Sequence, residues 1–285
     1  MTKNNLITQI HTAYIKMTKT EKKVADFVLS NPKEALNITI TELAKLCEVG
    51  ETSVFRFCKT LNLKGYQDFR LSLALSTADL NILNHDNEGN SSFTKDSKAT
   101  ASKVMDTYIS ALSKTYEHLN YEDIQTVVKY ILNAKSINLF GFGGSGTSAA
   151  EAKNKFMKIL PNIIFTQDSH MQLTQAALLG AEDLAIIFCN SGITKDCIEI
   201  AKICHASKVK VVFITGFPKT PALEFSDVLL QCGASEGPLD GGSIAAKTAQ
   251  LFLVDILYSE TFKNLGNVAL ENKKKTSEII TEKMM

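Results

Sequence analysis

The chain has 285 residues, of which 45% are apolar and 21% charged, with no tryptophan and a formal net charge of +1. That length suits two domains better than one, and no apolar run approaches the ~20 residues of a membrane-crossing helix. The polar start MTKNN has no signal-peptide apolar segment, so a cytoplasmic location without membrane attachment is expected.

The six cysteines, Cys47, Cys58, Cys189, Cys197, Cys204 and Cys232, lie in apolar or helical patterns and form no C-x-x-C pair. They read as reduced, small apolar side chains, and neither a metal nor a cofactor is expected. Charge is uneven along the chain. Residues 1–76 carry 11 Lys/Arg against 7 Asp/Glu, the remainder 20 against 23, and both arginines, Arg56 and Arg70, lie in the basic front part.

In chain order, Thr18-Lys19-Thr20-Glu21 has the S/T-x-x-E form that opens a helix. This helix carries Val24, Phe27 and Val28 and stops at Asn31-Pro32. Thr39-Ile40-Thr41-Glu42 repeats the device ahead of Leu43, Ala44, Leu46 and Cys47. After Glu48-Val49-Gly50 a third helix, residues 51–61, places Val54, Phe57, Cys58 and Leu61 on one apolar stripe. Its other face shows Thr52, Phe55, Arg56 and Lys59. Two short helices joined by a turn, the second with polar and cationic groups, suit a helix-turn-helix that enters the DNA major groove. Those four residues with Ser53 are the ones expected to contact DNA. A small helical interaction domain with a solvated charged face is the alternative.

The stretch from Thr39 to Leu75 resembles the helix-turn-helix of the RpiR family of bacterial transcription regulators. The residues that carry the likeness are Leu43-Ala44, then Ser53-Val54-Phe55-Arg56-Phe57, then Gly65-Tyr66. Two positions depart from the family pattern: Glu48 stands where the turn usually has glycine, and Gly50 where a serine cap is usual. Glu51 is expected to favour the helix N-terminus rather than a cytosine edge.

Asn84 to Lys103 is almost entirely polar and reads as a domain boundary. The expected division is residues 1–78 for the DNA-binding domain, 79–103 for a linker and 104–285 for a second domain. A helix carrying Val104, Tyr108, Ile109, Leu112 and Tyr116 leads into the latter.

From Ile137 onward, apolar runs at 137–140, 162–165, 184–188, 209–214 and 228–230 alternate with helical segments. That pattern predicts a parallel sheet of about five strands with helices on both faces, a three-layer α/β/α arrangement. The run Gly141-Phe142-Gly143-Gly144-Ser145-Gly146 follows the first strand and precedes a helix expected at 147–160. It fits both G-x-G-x-x-G of a dinucleotide site and a sugar-phosphate loop, and Asp168 stands at the separation of a ribose-binding acid or of a helix cap. A second loop, Cys189-Asn190-Ser191-Gly192-Ile193-Thr194-Lys195-Asp196, weighs toward one phosphate clasped between two hydroxyl-bearing turns.

The pair of loops resembles the sugar isomerase (SIS) domain, with G-x-G-x-S in the first and S-x-S-G-x-T-x-E/D in the second. Cys189 replaces the leading serine. Together with the front end this is the RpiR arrangement, covering roughly residues 1–265. The resemblance implies an all-α helix-turn-helix domain followed by an α/β domain with a five-stranded parallel sheet. It further implies a regulator of carbohydrate metabolism that binds a double-stranded DNA operator and a phosphorylated sugar. The phosphate would lie among Gly143, Ser145, Asn190, Ser191, Gly192 and Thr194, and the SIS domain would form a homodimer or homotetramer. No catalytic residue is expected. The rival readings are a sugar-phosphate isomerase or lyase, for which His170, Glu236 and Asp240 are the nameable bases, and a dinucleotide-sensing regulator.

Overall fold

A computed structural model describes residues 6–87, 97–233 and 243–281. The chain divides into two compact units, with one boundary in the sequence between Ser97 and Lys98.

The first unit is helical: α1 (Leu6–Ala13), α2 (Lys19–Ser30), α3 (Pro32–Asn37), α4 (Ile40–Leu46), α5 (Glu51–Thr60) and α6 (Tyr66–Asn87). Both expected capping boxes form. Thr18 and Glu21 exchange side-chain and backbone hydrogen bonds at the start of α2, and Thr39 and Glu42 do so at α4. Proline then starts α3 at its first position, where a missing amide hydrogen costs nothing. The predicted stripe of α5 is buried in full, and Phe57 meets Phe69 of α6 edge-on at 5.6 Å. Arg70 is buried too. Its guanidinium donates to the carbonyl of Leu36, tying α6 to the end of α3, so it is a packing residue.

The second unit begins with α7 (Ser97–Glu117) and α8 (Tyr121–Asn133), followed by β1 (Ile137–Gly141), α9 (Gly143–Phe156) and β2 (Ile163–Ile164). Then come α10 (Ser169–Ala177), β3 (Leu184–Phe188), α11 (Lys195–Ala206), β4 (Lys210–Thr215), β5 (Val228–Gln231), α12 (Ile244–Leu265) and α13 (Asn267–Thr281). All five strands are parallel, in the order β2-β1-β3-β4-β5. Successive side chains alternate faces. Leu184, Ile186 and Phe188 pack with α8, α9 and α12, while Ala185 and Ile187 pack with α10 and α11. The apolar strands are therefore covered on both sides, giving three layers.

Two expectations change. The stretch read as a linker, 79–103, is helical at both ends, since α6 runs to Asn87 and α7 starts at Ser97. Polar residues without proline weaken a helix by only fractions of a kcal/mol each, ~0.7 at most for ordinary residues, and do not end one. On α7, Val104, Ile109 and Tyr116 are exposed and Leu112 is half-buried; Tyr108, also half-buried, packs against the core, and Ala111 and Thr115 are the buried residues. Thr115 donates to the carbonyl of Ala111 and accepts the amide of Gly233 just beyond β5, so close approach selects this face.

Candidate functional site

Strand order brings the two loops together. β1 and β3 are neighbours, with Gly141 in register with Phe188, yet their onward connections lead to opposite sides of the sheet. A crevice at the carboxyl ends of such strands is where doubly wound sheets take ligands.

The first loop is more helical than expected. Residues 143–146 form the first turn of α9, which starts four residues ahead of the expected Thr147 and ends at Phe156. A Cβ on Gly141 would stand 2.8 Å from the carbonyl oxygen of Ser145, and one on Gly146 would stand 2.9 Å from that of Gly141. Only glycine lets the strand end and the helix start pack this closely. No side chain caps α9, whose N-cap position is Phe142, and its first amides have no partner within the helix. Those amides and the helix dipole favour an anion. Ser145, lying inside the helix, is not a cap.

The second loop is held by its carbonyls. The Asn190 carbonyl accepts from the Thr215 hydroxyl at 3.3 Å and the Gly216 amide at 2.9 Å, and the Thr220 hydroxyl donates to the carbonyl of Gly192. Gly192 has φ +68°, and a Cβ there would stand 3.0 Å from Thr215 Oγ1. Thr194 occupies the N-cap position of α11 without capping it; its hydroxyl pairs with that of Ser191 at 3.2 Å. Ser191 Oγ also accepts the amide of Ile193 at 3.4 Å.

The loops touch directly, the amide of Asn190 donating to Ser145 Oγ at 3.3 Å. Asn190 is only 4% exposed, and neither polar atom of its side chain has a partner among the described residues. A buried amide of this kind is satisfied by a water or by a ligand. Gly143 and Ser145 thus lie in the first turn of α9, and Asn190, Ser191, Gly192 and Thr194 in the loop that leads into α11, with Ser145 and Asn190 in contact. Cys189 is buried behind them, 3.8 Å from Ser191 Oγ. Its thiol is drawn below its ordinary range by the neighbouring Cys197 thiol, against burial, with help from Thr194 and Ser191; Cys197, whose thiol donates to the Phe188 carbonyl at 3.8 Å, is pushed up by Cys189 and by burial.

Other candidates fall outside this cluster. Asp168 caps α10 by accepting the amide of Met171 at 2.9 Å, which occupies one carboxylate oxygen of the would-be ribose acid. Lys195, Asp196 and His170 are exposed. Glu236 and Asp240 lie outside the described residues. No group of His, Cys, Asp and Glu among the described residues could hold a metal.

Two residues escaped the sequence reading. Gln172, fully buried, accepts from the Gly141 amide and donates to the Gly141 carbonyl, both at 3.0 Å, steadying the end of β1. Gln250, on α12, donates to Ser145 Oγ at 3.2 Å. Each is a polar residue at a position where the helical period puts Ala176 or Ala246 and Leu253 in the core, and that mismatch is the available signal.

In the first unit, Thr52, Phe55, Arg56 and Lys59 are exposed along α5 and Ser53 is half-buried. Lys59 Nζ lies 5.2 Å from the centre of the Phe55 ring and donates to the carbonyl of Lys64 at 3.1 Å. Glu51 accepts the Thr41 hydroxyl at 2.6 Å, joining α4 to the start of α5. Glu48 has φ +52° in the turn between these helices. Gly50 takes the N-cap position in extended geometry.

Comparison with known proteins matches residues 4–79 to the helix-turn-helix domain of the rpiR family and residues 130–260 to the SIS domain. The chain is 33% identical over 284 residues to an HTH-type transcriptional regulator of Haemophilus influenzae, covering 98% of this chain and 97% of the other. A similar regulator of Thermotoga maritima is 31% identical over 258 residues, with 90% and 91% covered. Among solved structures, the Vibrio vulnificus NanR protein complexed with ManNAc-6P superposes with a TM-score of 0.84 at 25% identity, covering 99% of this chain and 100% of the other.

Proposed function

Because the chain belongs to the RpiR family of helix-turn-helix transcriptional regulators, we propose that it regulates genes of carbohydrate metabolism by binding operator DNA under the control of a phosphorylated sugar. The first 78 residues serve as the DNA-binding part and residues 104–285 as the effector-binding part. The observation that carries the effector reading is the pairing of Ser145 with Asn190 across two helix starts, with the buried Asn190 side chain left unpartnered. The likeness to NanR, a protein solved with N-acetylmannosamine 6-phosphate, supports the same class of ligand.

In this reading the helix amides and the hydroxyls of Ser145, Ser191 and Thr194 hold the phosphate, and Asn190 reaches toward it. On DNA, α5 lies in the major groove with Thr52, Ser53, Phe55, Arg56 and Lys59 facing bases and phosphates. The protein works as a homodimer or homotetramer built on the SIS domain, for which the exposed Val104, Met105, Ile109 and Tyr116 of α7 offer an apolar face. Pairing would match a two-fold operator. Work on chromosomal DNA places it in the cytoplasm, and no described helix is long and apolar enough to cross a membrane.

Calorimetry with a panel of hexose, pentose and amino-sugar phosphates, N-acetylmannosamine 6-phosphate included, tests this. One phosphorylated sugar should bind while its unphosphorylated form does not, and it should change operator affinity measured by fluorescence anisotropy. Equal affinity for both forms, or turnover of the sugar phosphate, would overturn the reading.

A further inference from the structure

We infer that Gln250 is a positioning residue that makes Ser145 an obligate hydrogen-bond donor to the ligand, and so makes this corner of the site favour an acceptor, best of all an ionised phosphate oxygen. The inference rests on the phosphate reading above and adds to it the direction of the Ser145 hydrogen bond.

A serine hydroxyl has two lone pairs and one hydrogen. At Ser145 both lone pairs are engaged by nitrogen donors, the Asn190 amide at 3.3 Å and Gln250 Nε2 at 3.2 Å. Only the hydrogen remains, and it must point away from both nitrogens. A ligand atom that itself needed an acceptor, such as a sugar hydroxyl donating its hydrogen or an ammonium, would find none here.

Gln250 is well placed for this task. It is 1% exposed, on the face of α12 that also buries Ala246, Ala249, Leu253 and Val254. Its side chain therefore has little freedom to release Ser145, and its oxygen has no partner among the described residues. Among the described residues, the side chain's hydrogen bond is the one it donates to Ser145. An amide nitrogen at this point keeps Ser145 turned outward, whereas a carboxylate would accept the serine hydrogen and turn it inward.

The test is calorimetric titration of the full chain with inorganic phosphate at pH 8, using Ser145→Ala, Gln250→Met, Gln250→Glu and the double variant Ser145→Ala/Gln250→Met. Methionine matches the volume of glutamine and keeps the core filled, so Gln250→Met remains informative if Gln250→Glu fails to fold. Gln250→Met should weaken phosphate roughly fivefold, and Gln250→Glu on the order of 100-fold, through loss of a donor to a charged group and added repulsion. The deficit of Gln250→Glu relative to wild type should shrink from pH 8 to pH 5.5 as the new carboxyl gains a proton. Taking the ratio at each pH cancels the titration of phosphate itself. The double variant should be no weaker than Ser145→Ala, because Gln250 acts through the serine. If Ser145→Ala weakens binding while Gln250→Met and Gln250→Glu titrate like wild type, or if the double variant is additive, the role of Gln250 is wrong and the phosphate reading stands. Absence of binding to wild type by phosphate and by every sugar phosphate of the panel would remove both.

Discussion

The amide of Asn190 donates to the hydroxyl of Ser145 across 3.3 Å, joining two turns that are 45 residues apart in the chain. If one phosphate sits over that junction, each hydroxyl around it makes a separable contribution. Ser145→Ala, Ser191→Ala and Thr194→Ala should each weaken a phosphorylated sugar by about 1.5 to 3 kcal/mol, the range for a hydrogen bond to a charged group. Cys189→Ser should tighten binding or leave it unchanged, because it places a hydroxyl, a stronger donor than a thiol, beside Ser191. Calorimetry with phosphorylated and free sugar checks all four, and operator affinity without effector should survive them.

Arg56 lies exposed on α5, among the residues expected to face DNA. If it grips a guanine edge, Arg56→Ala should lose roughly 1 to 3 kcal/mol and relax preference at one base pair. If it contacts phosphate instead, all sequences should weaken alike and the salt dependence should flatten. Anisotropy at several salt concentrations separates these cases, and an unchanged affinity would take Arg56 out of the interface.

Glu48 holds a left-handed backbone, φ +52°, that glycine adopts without steric penalty. A side chain in this region costs about 1 to 2 kcal/mol, and glycine returns part of that through greater entropy loss on folding, ~0.5 to 1 kcal/mol. The ion pair with Lys23 at 3.4 Å is exposed and worth little. Glu48→Gly should therefore raise stability by several tenths of a kcal/mol, up to about 1. Gly50→Ser should add a few tenths through a cap on α5, since a Cβ there meets nothing within 4 Å. Denaturant melts of the variants test both, and a loss of stability in Glu48→Gly would contradict the strain argument.

Glu21 is buried between the start of α2 and the end of α5. Burial raises its pKa, but hydrogen bonds from the Thr18 amide, the Thr18 hydroxyl and the Thr60 hydroxyl, with the charge of Arg56, outweigh it and hold the carboxyl below its ordinary 4.5. A depressed carboxyl contributes stability that is fully present above the unfolded value and is lost as pH falls through the folded one. Glu21→Gln should thus lower stability at pH 7 and narrow its gap to wild type as pH falls below about 4, near the reference range for Glu. Thermal melts across pH 3 to 7 would show the two curves converging, and parallel curves would count against Glu21 as the titrating group.

Much of this protein is set by neighbours in the chain. The capping boxes at Thr18 and Thr39 are complete within four residues, and their helices begin where the sequence places them. The strand at Leu184–Phe188 falls on its apolar run because a strand covered on both faces is apolar throughout. The start of α9 is not legible in the sequence, since glycine is a poor helix former and contact with β1 is what explains a helix at Gly143.

What the sequence alone determined is thus the order of elements, their caps and the chemistry of the two loops. Tertiary structure decided which of those residues meet. The strand order puts Ser145 beside Asn190, and α12 delivers Gln250 to the same hydroxyl from 105 residues away. It also chose Ala111 and Thr115 of α7 for burial over the larger Val104, Ile109 and Tyr116. The physical reason is the same in each case. Hydrogen bonding and apolar burial within one helical turn depend on adjacent residues, whereas a long-range contact depends on which surfaces fit when the layers pack, and small residues permit the closest fit.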